Sequence, residues 1–255
     1  MMKSRCKTAK TQEKGDQTLR TELDLHTHTL VSGHAYSTIR EMARMASEKG
    51  LKILGITEHA PQMPGSCHEF YFQNLTVVPR EMYGVRLLLG AELNILDENG
   101  TVDLCDRAMN ALDIAIASIH PNCYKGPVTR EAVTEAYLSA MENPKIHIIG
   151  HPDDGRFPAD YERLVKKSKE TGTLLELNNS SMRPDGFRVN AYENDREMLL
   201  LCKQYGVPVI LGSDAHVDSD IAAYETALKL LEECSFPDEL VVNTSVQKLR
   251  KILAI

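Results

Sequence analysis

Several things are missing from this chain, and each absence closes off a class of function. No window approaches the ~18 uninterrupted apolar residues of a membrane span, so no transmembrane helix is expected. The first twenty residues, MMKSRCKTAKTQEKGDQTLR, are polar and basic and lack the apolar run of a secretory signal. The stretch 1–22 is therefore read as a flexible N-terminal extension and 23–255 as one folded domain, with a cytoplasmic setting. A basic excess is missing too. Lys+Arg is 29 against 36 for Asp+Glu, a formal charge of −7, so phosphate backbones feel no bulk attraction and nucleic acid is disfavoured as a partner. The six cysteines (Cys6, Cys67, Cys105, Cys123, Cys202, Cys234) never form a CxxC pair, which argues for reduced, mostly buried thiols rather than a disulfide framework. Repeats, low-complexity tracts and a dinucleotide-binding glycine fingerprint are likewise absent.

What is present is ordinary globular material, 42% hydrophobic and 25% charged, in a length that suits one large α/β unit. Short runs rich in Ile, Leu and Val predict strands at 23–29, 51–59, 85–95, 112–120, 145–151, 173–179 and 207–216. Their nearly continuous apolar character suits strands covered on both faces. Helical patterns fall between them at 129–141, 159–171, 190–204 and 219–233, with a last one at 245–253. Thr38 and Glu41 have capping-box spacing ahead of another helix, and Gly50 supplies its stop. Strands alternating with helices predict a parallel β/α architecture, either an open doubly wound sheet or a closed barrel.

The polar residues choose between these. Five predicted strands end in histidine: His26 and His28 on the first, then His59, His120, His151 and His216. The third carries Glu92, and the last carries Asp214 beside His216. An open sheet uses a few strand ends at one switch point, whereas a barrel gathers most of them at its C-terminal rim. A single strand-end histidine is usually hydrogen-bonded structure. Five together need a common partner, and a metal is the simplest. Side-chain direction alternates along a strand, so His26 with His28, and Asp214 with His216, each share a face.

At these residues the chain resembles a known family. DLHTHT (24–29), TEH (57–59), GAE (90–92), His120, GHP (150–152) and GSDAH (212–216) are similar to the motifs of the PHP (polymerase and histidinol phosphatase) family. His34, in HTLVSGHAYST, places the likeness with the stand-alone YcdX-like metal-dependent phosphatases. The resemblance covers nearly everything from Leu23 onward. It implies a distorted (β/α)7 TIM-like barrel of parallel strands, with its active site at the C-terminal rim. It also implies three divalent metal ions, zinc first, with manganese or iron as alternatives, and a homo-oligomer, a trimer in this branch. Carried over residue by residue, His26, His28 and Asp214 bind one ion, and His34, His59 and His216 a second. His120 and His151 bind the third, with Glu92 bridging it to the first. Glu58 departs from the family pattern, which has Asp before the second-strand histidine.

The donor types fit that implication. Imidazole and carboxylate suit zinc, iron or manganese. Three divalent ions against two carboxylates leave a net positive charge of about four, enough to draw a phosphate dianion into an acidic protein. The expected reaction is hydrolysis of a small phosphate monoester by a metal-bridging hydroxide, held by His26, His28, Glu92 and Asp214. Two rivals are an amidohydrolase acting on C–N bonds and a non-catalytic metal or phosphate sensor. Elsewhere, Asp24 is either an orienter of a ligand imidazole or a structural strand-start residue, and His147 is expected to be a core histidine. His68 lies in a long loop, 60–80, that either covers the site or is anchored surface. Asn178 and Asn179 are free for hydrogen bonds, and Lys125, Arg183 and Arg188 are loop cations within reach of phosphate.

Overall fold

The computed structural model describes residues 19–253. Its elements run β1 (Leu23–Asp24), α1 (Ile39–Glu48), β2 (Ile53–His59), α2 (Phe70–Gln73), β3 (Glu81–Met82), β4 (Val85–Asn94), α3 (Asp106–Met109) and β5 (Ile114–Ser118). They continue as α4 (Arg130–Met141), β6 (Ile148–Ile149), α5 (Tyr161–Thr171), β7 (Leu174–Asn178), α6 (Ala191–Tyr205), β8 (Val209–Gly212), α7 (Glu225–Glu233) and α8 (Val246–Leu253). Among the described residues the parallel sheet is ordered β1-β2-β4-β5-β6-β7-β8 and curls until its edges nearly close, a TIM-like barrel. No helix among them is long and apolar enough to cross a membrane.

Local chemistry explains the boundaries. Thr38 and Glu41 form the reciprocal capping box that opens α1. Thr129 accepts from the N–H of Ala132 to open α4, and Asp160 accepts from that of Arg163 to open α5. Gly172 and Gly206 end α5 and α6 at positive φ, where a side chain would be strained. The hairpin β3–β4 was not expected. Its turn is Tyr83-Gly84, both at positive φ, the primed-turn geometry that suits strand twist without an Asn-Gly signature. The helix expected from 219 starts only at Glu225. Asp218–Asp220 instead form a 3-10 turn, and Ala222 at φ 52° breaks the run.

Alternation along the strands sorts the core into two apolar bodies. Outward residues such as Leu54, Ile56, Leu87 and Leu211 pack against the helices. Inward residues Leu23, Ile53, Leu88, Ile114, Ile148, Leu174 and Ile210 fill the lower barrel, and Val246 and Leu249 of α8 close its floor. Burying each such side chain contributes ~1.5–3 kcal/mol. Above this floor the inward positions turn small or polar, as Gly55, Gly90, Gly150 and Gly212, and the site stands on that layer.

The seam between β8 and β1 is made differently from the rest of the wall. Thr27 and Ala215 bridge in parallel, and the His28 N–H donates to the Ala215 carbonyl at 2.9 Å. Lower down, the buried Asn243 side chain stands in for a strand. Its Oδ1 accepts from the Leu211 N–H at 2.7 Å, while Nδ2 donates to the carbonyls of Leu211 (2.9 Å) and Leu23 (3.1 Å). Of the expected N-terminal extension, residues 1–18 lie outside the described residues. Leu19 packs on the core, and the Glu22 N–H donates to the Asn243 carbonyl at 2.7 Å.

Candidate metal centre

The strand ends deliver their histidines and carboxylates to one place at the top of the barrel. Glu92, at the end of β4, is fully buried at the middle of it. Its Oε2 lies 2.7 Å from His59 Nδ1, 3.5 Å from His26 Nε2 and 3.6 Å from His28 Nε2. Its Oε1 lies 2.8 Å from His151 Nε2 and 3.2 Å from His120 Nε2. Asp214 Oδ1 is 3.3 Å from His28 Nε2, 3.6 Å from His26 Nε2 and 3.5 Å from His216 Nδ1. His34, on the first loop, reaches in from the mouth. Its Nε2 is 3.1 Å from His59 Nε2, and its ring stacks on His59 and His216. All nine sequence-selected residues are therefore together.

Groupings of three donors close enough to share an ion are His26, His28 and Asp214; His28, His59 and His216; and His59, Glu92 and His120. The first coincides with the trio the resemblance implies. The second shares His28 with it and the third shares His59 with the second, so the sets form a chain, and His34 and His151 sit at its edges rather than within it. His151 and Asp214 both adopt positive φ, 29° and 54°, a strained conformation that the surrounding fold must hold in place.

The atoms facing the centre test whether metal suits it. His26 Nε2, His28 Nε2, His59 Nδ1 and Glu92 Oε2 are buried and make no aligned hydrogen bond among the described residues, the 2.7 Å approach of His59 Nδ1 to Glu92 Oε2 included, although such atoms normally find one. Four of the imidazoles are held on the side away from the centre. His26 Nδ1 donates to Glu176 Oε1 at 2.6 Å, His120 Nδ1 to Asn94 Oδ1 at 2.8 Å, and His216 Nδ1 to the Asp214 carbonyl at 2.9 Å. Ser32 gives its own proton to Glu58 and accepts from His28 Nδ1 at 3.2 Å. Each of these contacts places a proton on Nδ1 and turns Nε2 towards the centre as the nitrogen available to an ion, the arrangement that ligating histidines use.

Electrostatics point the same way. Burial, together with the His59 and His216 rings, holds His28 well below its ordinary pKa, and burial brings His59 down to about 4 despite Glu92. Burial alone would raise Glu92. The imidazoles of His120, His26 and His59 overcome it and hold the carboxylate well below its usual range. Asp214 behaves alike, with His26 the largest opposing charge. His26 is pulled down by burial but carried well above its ordinary value by Glu176, Glu92 and Asp214. Ionised carboxylates beside mostly neutral imidazoles are the metal-competent forms. The donor set fits divalent metal.

The remaining candidates separate cleanly. Asp24 touches no imidazole ring. It accepts from the backbone N–H groups of His26 (3.3 Å) and Ala222 (2.8 Å) and from the Ser213 hydroxyl, tying the first strand to the last. His147 is only half-buried just ahead of β6, its backbone bonded to Ala115 and Leu174 and its Nδ1 accepting from the Ala115 N–H at 3.0 Å, so the core placement expected for it was too deep. His68 is exposed. Glu58 reaches the centre only through Ser32, which also accepts from the His59 N–H at 2.9 Å. Arg188 is the loop cation that enters. Its guanidinium donates to Ser181 Oγ at 2.7 Å and to Asp214 Oδ2 at 3.3 Å, whereas Arg183 is spent on Asp220. Sequence reasoning missed Glu176 and the Asn94–Asp103 pair behind His120. The signal was there in strand parity: Glu176 and Asn178 share the inward face, as do Glu92 and Asn94.

Comparison with known proteins adds three findings. The model of the PHP domain family matches residues 24–182. A probable phosphatase from Caldanaerobacter subterraneus subsp. tengcongensis is 44% identical over 243 residues, covering 94% of each chain. One from Clostridium novyi is 46% identical over 227 residues, covering 89% of this chain and 92% of its own. Among solved structures, histidinol phosphate phosphatase from Lactococcus lactis subsp. lactis, crystallised with zinc, L-histidinol and phosphate, superposes with a TM-score of 0.57. At 19% identity, over 85% of this chain and 95% of that one, this likeness is one of fold.

Proposed function

Because the chain belongs to the PHP domain family, we propose that it is a metal-dependent phosphatase that hydrolyses a small phosphate monoester at a centre of three divalent ions. The observation that carries this reading is the convergence of four buried, unpartnered donor atoms on His26, His28, His59 and Glu92. Packing leaves such atoms at a cost of ~1–3 kcal/mol each, which metal ligation removes. In the proposed assignment His26, His28 and Asp214 hold one ion, and His34, His59 and His216 a second. Glu92, His120 and His151 hold the third, and the two oxygens of Glu92 face different imidazoles as a bridge requires. Zinc is the first choice, with manganese or iron able to use the same donors.

Bound ions supply an ionised water at neutral pH and charge neutralisation for phosphate oxygens. The chain's own residues supply the rest. Arg188, buried against Asp214, offers further guanidinium donors at the site edge, where a phosphate dianion would take them in bidentate fashion. His34 stacks on His59 at the mouth of the site, where it remains exposed. Strand-end placement on a rigid barrel fixes the donors before substrate arrives, so little reorganisation is left for the reaction.

Dialysis against a strong chelator tests the reading. Hydrolysis of an aryl phosphate should fall at least about 100-fold and return on adding zinc or manganese. Undiminished turnover after complete metal removal would count against it, as would hydrolysis of cyclic amides with no activity on any phosphate monoester.

A further inference from the structure

Glu176 stands on β7 directly beneath the centre and is 1% exposed. Its Oε1 accepts from His26 Nδ1 at 2.6 Å. Its Oε2 accepts from the backbone N–H of His151 at 2.8 Å and from Asn178 Nδ2 at 3.1 Å. One carboxylate thus holds the ring of one candidate ligand and the main chain of another, the latter in a strained conformation with φ 29°. Two glycines keep the space it needs. A Cβ on Gly212 would lie 1.8 Å from Glu176 Oε1, and one on Gly150 would lie 3.6 Å from Oε2 and 2.3 Å from Ser118 Oγ.

We propose that Glu176 is a positioning residue for the metal centre: it keeps the His26 proton on Nδ1, so that Nε2 faces the ions as a lone pair, and at the same time locks the His151 main chain. This rests on the metal-centre reading above. The argument is one of donor and acceptor count. A carboxylate accepts on both oxygens, and here every group facing it is a donor. The amide of glutamine has one acceptor oxygen and one donor nitrogen. Facing its nitrogen to His26 would move the imidazole proton to Nε2 and block ligation. Facing its nitrogen to His151 would oppose two donors and release the main chain. Glutamate alone satisfies both ends.

The test compares wild type with Glu176→Gln, Glu176→Asp and Gly212→Ala, each loaded with zinc. Chelator competition should show zinc held about 10–100-fold more weakly in Glu176→Gln. Gly212→Ala, whose new methyl displaces the carboxylate, should weaken zinc in the same direction. Nitrogen-resolved NMR of isotope-labelled histidine should show an Nδ1–H on His26 in wild type and its loss or exchange broadening in Glu176→Gln. A merely structural role would not move that proton. If Glu176→Gln does not fold, Glu176→Asp decides, with the Nδ1–H resonance shifted and zinc weakened. Zinc affinity within twofold of wild type and an unchanged His26 signal in the folded variants would overturn the proposal and leave the metal centre standing. A wild-type protein that binds no divalent ion would overturn both.

Discussion

Glu92 is the residue on which the centre turns, because its two oxygens serve different neighbours. Oε2 faces His26, His28 and His59, and Oε1 faces His120 and His151. His120, held from behind by Asn94, approaches only the second oxygen of Glu92 and the ring edges of His59 and His151. The two should therefore fail differently. Glu92→Ala is expected to lose more than one ion per protein and to reduce kcat/KM on an aryl phosphate by at least about 100-fold. His120→Ala should lose about one ion, raise KM and also lower kcat, since charge developing in the transition state loses a counter-ion. Metal counting beside steady-state kinetics decides it. A Glu92→Ala protein with its full metal content and normal turnover would show that the centre has been drawn around the wrong residue.

Between elements, the point of interest is the barrel seam. Six parallel neighbours meet along proper ladders, but the chain at the ends of β8 and β1 meets through the isolated Thr27–Ala215 bridge and the Ser213–Asp24 contact, with Asn243 filling the gap below them. The buried amide satisfies a donor on Leu211 and acceptors on Leu211 and Leu23. Asn243→Ala should strand these groups and lower unfolding stability by about 2–3 kcal/mol, measured by denaturant titration. It should also raise the rate of zinc loss, because His26, His28 and Asp214 hang from the two strands it joins. A stability change below about 0.5 kcal/mol would mean that the seam is held by the apolar floor alone.

At the scale of the molecule, fold and site are separable in energy but coupled by binding. Two apolar bodies, one between sheet and helices and one inside the barrel, hold the chain together without help from the centre. Metal-free protein is accordingly expected to remain folded, with its far-ultraviolet circular dichroism intact. It should melt lower, because any ligand selective for the native state adds stability. At a free ion concentration of about 100 Kd one site contributes ~2.7 kcal/mol, or about 5–11 °C in a domain of this size. Scanning calorimetry with and without saturating zinc checks this, and identical melting temperatures would contradict it. The acidic surface, −7 overall, leaves recruitment of an anionic substrate to local charge at the rim, where Arg188 already sits.

How much of this was legible beforehand follows from the range of each interaction. The parallel strands, the capped helices and the nine clustered residues were readable because they are written in local pattern: apolar runs, Thr38 with Glu41, and histidines at the ends of strands. An HxH or DxH on one strand carries its geometry with it, since alternation is a property of the backbone. Glu176, Asn94, Asn243 and the glycines beneath the centre were not readable in the same way. Glu176 matters because Gly212, a strand away, leaves room for its carboxylate, and because His26 and His151 arrive from distant parts of the chain to donate to it. Glu58, adjacent to a candidate ligand in sequence, reaches the centre only through Ser32. The short hairpin at Tyr83-Gly84 and the late start of α7 turned on backbone angles that carry no strong residue signature. The sequence alone determined which side chains could ligate and that strand ends would gather them. Which carboxylate stands behind which imidazole was decided only by the closing of the barrel, because hydrogen bonds of under 3 Å depend on packing between strands that are far apart in the chain.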